Sequence, residues 1–255
     1  MKIIISPAKK MNMDTDTLPY QELPCLLEET DKIMQWMKTL TYEEAKKLWC
    51  CNDKIAELNY RRFQEMDLRQ NLTPAVLSYE GIQYQYMATN VFTEEGLTYI
   101  QKHLRILSGF YGILKPFDGV VPYRLEMQAK AKIKGTKDLY EFWSDQLYEQ
   151  LQIENEDRVI VNLASKEYSK CIEKYKQEED VFLTCIFGEW KKDKIIQKGT
   201  QAKMARGEMV RFMAERAIEH VEELKEFRRL GYCFCEELSS REEYVFVKET
   251  AKEEP

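Results

Sequence analysis

Leu104-Arg105-Ile106-Leu107-Ser108-Gly109-Phe110-Tyr111-Gly112-Ile113-Leu114-Lys115-Pro116-Phe117-Asp118 is the stretch on which the fold reading turns. Its apolar residues continue the helical spacing of Leu97 and Ile100. The helix capped by Thr93 is therefore expected to carry Leu104 and Leu107 into a tight turn. Gly109 and Gly112 suit positions of positive φ or close backbone approach. Amides exposed at such a turn, ahead of a new helical segment, can bind phosphate without any side chain. On this reading Ser108, Gly109 and Gly112 present turn amides to an anion, and Lys102, Arg105 and Lys115 add charge. The stretch departs from a regular helix-hairpin-helix: Phe110 and Tyr111 both separate the glycines, and Pro116 truncates the second helix. Tyr123, Arg124 and Glu126 follow within four consecutive residues.

Working outward, 255 residues with 44% hydrophobic content can bury a sizeable core. Ile3-Ile4-Ile5 ends at Pro7 and reads as a buried strand, too short for a signal peptide or a membrane span. No Gly/Ser linker or repeat divides the chain. The expectation is one α+β unit over residues 1–247, a mixed β-sheet with surrounding helices, with room for a helical subdomain at about 25–70. Residues 248–255 read as a charged, frayed tail.

Helical periodicity runs from Leu26 to Met37, and Thr41-Tyr42-Glu43-Glu44 has capping-box spacing. Ile55, Leu58 and Phe63 mark another helix. Ala75 to Tyr79, bounded by Pro74 and Gly81, reads as a strand. Asp138 starts a helix that buries Leu139, Phe142, Leu147 and Leu151; its Phe142 and Trp143 read as core. Val159 to Leu163 is a strand, with Ser165 placed to cap the helix after it. Val181 to Phe187 and Lys194 to Gln197 read as strands around a turn at Gly188. A helix from Gln201 to Ile218 and an antiparallel pair, Tyr232 to Glu236 with Tyr244 to Val247, complete the chain.

Seven cysteines without Cys-x-x-Cys spacing read as reduced thiols. Two histidines, His103 and His220, offer few ligands for zinc or iron, so no metal and no cofactor are expected. The net charge of −6 argues against a polyanionic partner until its distribution is considered. Residues 100–137 hold eight Lys/Arg against two acids, and residues 191–216 hold eight against three. These windows form a basic stripe if they meet in space, and two solvated faces if they do not.

Ser6-x-x-Lys9 has the spacing of a serine–lysine nucleophile pair, but the companion motifs of such hydrolases are missing. Position is more telling, because open α/β sheets bind ligands beyond strand ends. Ser6 and Lys9 follow one buried strand, and Asn162 and Ser165 close another. Arg124 and Glu126 share a side if extended, either as an ion pair that fixes the loop or as an anion-binding arginine oriented by a carboxylate. Lys203, Arg206 and Arg211 come from one helix, and Gly207 beside Arg206 suggests close backbone approach. Ser6, Lys9, Tyr123, Arg124, Glu126, Asn162, Ser165 and Arg206 are the candidate pocket.

Ser6 to Lys9, Leu104 to Pro116, Pro122 to Met127, Asp138 to Trp143, Asn162 to Ser165 and Ala205-Arg206-Gly207 occur in an order that resembles the YaaA family of bacterial peroxide-stress proteins. The resemblance implies a cytoplasmic protein that binds double-stranded and branched DNA through a helix-hairpin-helix element and limits free intracellular iron under peroxide. It brings no settled reaction. The first expectation is thus a DNA-binding protein without sequence specificity, expected to be monomeric, with no membrane partner. Its contacts would be Lys102, Arg105, Ser108, Gly109, Gly112, Lys115, Lys203, Arg206 and Arg211. The rival is an enzyme acting on a small phosphorylated or nucleotide-like ligand in the polar pocket.

Overall fold

Ile3, Ile4 and Ile5 are completely buried in the computed structural model, which describes residues 1–248. The tail expected at 248–255 lies outside the described residues apart from Lys248. The three isoleucines belong to β1 (Lys2–Ile5), in the interior of an eight-stranded mixed sheet. A run that is apolar at every position, not at alternate ones, suits a parallel strand covered on both faces.

The other strands are β2 (Leu104–Ser108), β3 (Gly112–Leu114), β4 (Val159–Leu163), β5 (Val181–Lys191), β6 (Lys194–Ile196), β7 (Tyr232–Phe234) and β8 (Glu243–Lys248). Their order is β7-β8-β5-β4-β1-β2-β3, with β6 on β5. Strands β8, β5, β4, β1 and β2 run parallel. The pairs β2–β3, β5–β6 and β7–β8 are antiparallel. From β1 the chain passes first to β2 on one side and later returns to β4 on the other. The C-terminal ends of β1 and β4 therefore flank a topological switch point, where diverging connections leave a crevice.

Helices Leu27–Thr39, Tyr42–Trp49 and Asp53–Glu65 fill residues 27–65, the second opened by the Thr41–Glu44 capping box. Phe63 meets Phe110 edge to face at 5.4 Å, which seats this group on the turn between β2 and β3. Helix Gly199–Glu215 crosses helix Ile82–Met87 so closely that a Cβ on Gly207 would lie 2.2 Å from the Gln83 carbonyl oxygen.

Several local expectations are corrected. The Thr93-capped helix ends at His103, and Leu104 and Leu107 lie on β2, where Leu104 pairs with Ile3. The segment is a β-hairpin, not two helices around a turn. A short apolar run fits either period, and pairing with β1 decides between them. Ala75–Ser78 forms one helical turn between the two-residue strands Thr73–Pro74 and Tyr79–Glu80. Gly188 sits inside β5, where a Cβ would come within 2.2 Å of Ile195 on β6; the turn falls instead at Lys192, with φ of 55°. The helix begun by Asp138 breaks at Ser144, with φ of 48°, into Leu139–Trp143 and Gln146–Gln152.

Candidate functional site

Ser6 leaves β1 and Ser165 leaves β4 on either side of the switch point. The Ser165 backbone N–H donates to Ser6 Oγ at 2.8 Å, and Ser6 Oγ lies 3.2 Å from Ser165 Oγ. Ser165 occupies the N-cap position of helix Lys166–Glu173, yet its hydroxyl turns to Ser6 and does not cap the helix as the sequence suggested. Tyr84 fixes the same corner by donating its hydroxyl to the Ser6 carbonyl at 3.0 Å.

A cavity of about 390 Å³ opens at this corner. Ser6, Lys9, Tyr123, Arg124, Glu126, Ser165 and Arg206 all line it. Asn162 does not line it. Its side chain accepts the Ala164 N–H at 2.9 Å and donates to Thr184 at 3.2 Å, which locks the end of β4. The serine–lysine pair also fails to form, because the Lys9 ammonium is 2.7 Å from Glu126 while Ser6 serves Ser165.

Arg124 lies 3.4 Å from Glu126 with its side chain 12% exposed, so the ion pair forms, and both residues line the cavity. Arg124 Nε and Arg206 Nε are enclosed and have no hydrogen-bond partner among the described residues. Arg206 has no ion-pair partner among the described residues, and burial holds its pKa below the usual guanidinium range. An enclosed cation without a counter-charge is costly. Glu167, in the first turn of helix Lys166–Glu173, also lines the cavity, and burial raises its pKa. The Tyr123 hydroxyl is occupied by Ser108 at 2.6 Å and Tyr79 at 2.8 Å, and burial pushes its pKa up to about 12. The lining thus combines the cations Lys9, Lys10, Arg124, Lys203 and Arg206 with the carboxylates Glu80, Glu126 and Glu167.

The nine residues expected to contact DNA do not gather. Ser108 is fully buried, and its Oγ accepts the N–H groups of Phe110 and Tyr111 at 3.1 and 2.9 Å. A Cβ on Gly109 would lie 2.6 Å from the Leu125 carbonyl oxygen, and Gly112 takes a φ of +76° against Leu147 and Trp143. The glycines do meet the backbone demands read from the sequence, but they serve packing; the turn amides face the interior and not a phosphate. Arg105 is buried against Glu154, Lys115 lies 3.0 Å from Glu154, and Lys102 lies 3.3 Å from Glu219. These three occupy the end where the parallel strands begin, beside Lys2. Lys203 and Arg206 line the cavity at the opposite end, and Arg211 pairs with Glu215 at 2.7 Å. Lys102, Arg105 and Lys115 of the first basic window are therefore separate from the second, while Arg124 of the first window meets Lys203 and Arg206 of the second at the cavity.

A family profile described as peroxide stress protein YaaA matches residues 1–238. The chain belongs to the peroxide stress protein YaaA family. A UPF0246 protein of Desulfitobacterium hafniense (strain Y51) is 57% identical over 252 residues, spanning 99% of this chain and all of the relative. A UPF0246 protein of Agathobacter rectalis is 57% identical over 251 residues, spanning 98% and 100% of the two chains. One from Pediococcus pentosaceus is 55% identical over 248 residues, spanning 97% and 98%.

Sequence reasoning missed Lys10, Glu80, Gly81, Gln83, Tyr84, Glu167 and Tyr168 among the lining residues. Glu167 was within reach, two residues beyond Ser165. The segment Glu80 to Tyr84 carries no local motif; its nearest signal was Gly207, whose missing side chain admits helix Ile82–Met87.

Proposed function

We propose that this family member binds a small phosphorylated or nucleotide-like anion in the cavity at the ends of β1 and β4. The observation that carries the reading is Arg206, which lines the cavity and whose enclosed Nε has no partner among the described residues. Arg124 and the start of helix Lys166–Glu173 supply further donors. Among the described residues no base stands beside the Ser6 hydroxyl, so the reading is one of binding and extends to no reaction. Isothermal titration with inorganic phosphate and ribose 5-phosphate tests the site. Binding in the parent that disappears in Arg206→Met supports it, and no heat with either probe at millimolar concentration refutes it.

A second reading is binding of double-stranded or branched DNA without sequence specificity. Lys130, Lys132 and Lys134 are exposed, alternate with buried Ala131 and Ile133, and enter no ion pair among the described residues. This row follows the Arg124–Glu126 lip in the chain, so it replaces the buried hairpin turn as the phosphate contact. Backbone contacts alone would give affinity that falls steeply with salt, with any preference set by DNA shape. Changing the three lysines to alanine should flatten the salt slope by up to about one phosphate per charge. Changing Lys102 and Lys115 should leave it unaltered. In this reading the protein acts in the cytoplasm under peroxide, and its effect on free iron is indirect. His103 is committed to the Met1 carbonyl at 2.9 Å and stacks on Tyr99.

A further inference from the structure

A second cavity, of about 600 Å³, also reaches Glu126. Trp36 walls it from helix Leu27–Thr39 and Leu40 from just after that helix, Leu48 and Trp49 from helix Tyr42–Trp49, and Gln128 and Ala129 from the loop beyond Met127. Trp49 is 4% exposed and stacks on Phe63 at 5.9 Å, yet its indole N–H has no acceptor among the described residues. A buried indole N–H normally finds one. Each cavity is thus lined by a residue with an enclosed N–H that lacks an acceptor among the described residues: Arg124 and Arg206 in the polar one, Trp49 in the other.

Glu126 is the wall they share. Its two oxygens are held by Lys9 at 2.7 Å and Arg124 at 3.4 Å, which fixes the carboxylate while leaving lone pairs for further donors. A carboxylate in that position disfavours a second anion and accepts hydrogen bonds from neighbouring hydroxyls, as acidic residues do from ribose. The chemistry therefore runs in order: phosphate donors, a hydroxyl acceptor, then an aromatic wall with one edge donor.

Resting on the small-anion reading above, we propose that the ligand is a ribonucleotide. Its phosphate lies by Arg206 and Arg124, its sugar hydroxyls bond Glu126, and its base packs against Trp36 and Trp49. A ring nitrogen or carbonyl of the base accepts the Trp49 N–H, and the exposed Gln128 amide stands at the rim to meet another polar edge. Indole faces bind the π-face of any base, so this site separates bases weakly and separates nucleotides from sugar phosphates strongly. An acyl chain would fill the apolar cavity but leave both the indole N–H and Glu126 unanswered.

The test uses the full chain and a ladder of probes: inorganic phosphate, ribose 5-phosphate, AMP, UMP and 2′-deoxy-AMP. Affinity is read by titration calorimetry and by quenching of tryptophan fluorescence. AMP or UMP should bind about tenfold or more tighter than ribose 5-phosphate, and 2′-deoxy-AMP should bind more weakly than AMP. Trp49→Phe keeps the ring on Phe63 and removes the N–H. It should weaken AMP about fivefold or more and leave ribose 5-phosphate unchanged. Equal affinity for AMP, UMP and ribose 5-phosphate in the parent overturns the ribonucleotide assignment while the anion site stands, with no variant needed. An unchanged AMP affinity in Trp49→Phe overturns the role of the indole N–H. Failure of phosphate and ribose 5-phosphate alike refutes the anion site itself, and the ribonucleotide assignment with it.

Discussion

Ser6 Oγ accepts the backbone N–H of Ser165 at 2.8 Å, tying together the ends of two adjacent parallel strands whose residues are 159 apart in sequence. The bond closes the corner on which the cavity is built. In Ser6→Ala the Ser165 amide loses its acceptor in a half-buried position, at a cost of about 1 kcal/mol or somewhat more. Urea unfolding should show the midpoint falling with an unchanged slope. A midpoint equal to the parent's would mean that water replaces the hydroxyl without loss.

Gly207 gives a larger effect. Its absent side chain lets helix Gly199–Glu215 rest on helix Ile82–Met87, with the Gln83 carbonyl oxygen 2.2 Å from where a Cβ would stand. That neighbour is backbone, so Gly207→Ala must push the helices apart. A loss of about 1–3 kcal/mol is expected, despite the better helix propensity of alanine. Because Gln83 and Tyr84 line the cavity, anion affinity should fall as well. Stability at or above the parent's would show that the helices shift freely.

How much of this was legible in the sequence depended on where the deciding forces act. The Thr41–Glu44 capping box, the caps at Thr93 and Asp138, and the buried run of Ile3 to Ile5 rest on local chemistry, and the structure contains each of them. Leu104 to Leu107 did not declare itself, because its helical spacing is also that of a strand covered on both faces. Pairing with Ile3, about one hundred residues away, settles the matter. The site was legible through strand ends: Ser6 and Ser165 meet because β1 and β4 are neighbours. Asn162, at the same strand end, turned inward to Thr184 instead, a choice set by β5 and invisible from either segment.

Arg206 separates a structural from a ligand-binding cation. A cation kept for the fold should have a carboxylate partner, and removing it should destabilise. Arg206 has none among the described residues, and burial disfavours its charged form. Arg206→Met should therefore be as stable as the parent, or more stable by about 1 kcal/mol or more where methionine packs well, and unfold at the same or a higher temperature. The same variant should lose the thermal stabilisation that phosphate confers on the parent. A drop of several degrees without phosphate would assign Arg206 to the fold and remove the main support for the anion site.

Asp118 provides a pH test remote from the cavity. It is 2% exposed, and its Oδ2 accepts the Lys115 backbone N–H at 2.9 Å. Burial pushes its pKa up to about 7, from an ordinary value of 3.8. The folded protein therefore retains a proton that the unfolded chain releases between these two values. Stability from this group is fully present below pH 3.8, falls as pH rises, and is gone above about pH 7. The Asp118→Asn side chain is neutral at every pH and can still accept the Lys115 N–H. The stability of the parent minus that of Asp118→Asn should thus decline by a few kcal/mol, to order of magnitude, between about pH 4 and about pH 7. Other carboxylates, such as Glu154, have lowered pKa values and bend both profiles the opposite way at acid pH, so the difference between the two proteins is the quantity to measure. Parallel profiles across that window would show that Asp118 keeps an ordinary pKa through its cationic neighbours Lys115 and Arg105.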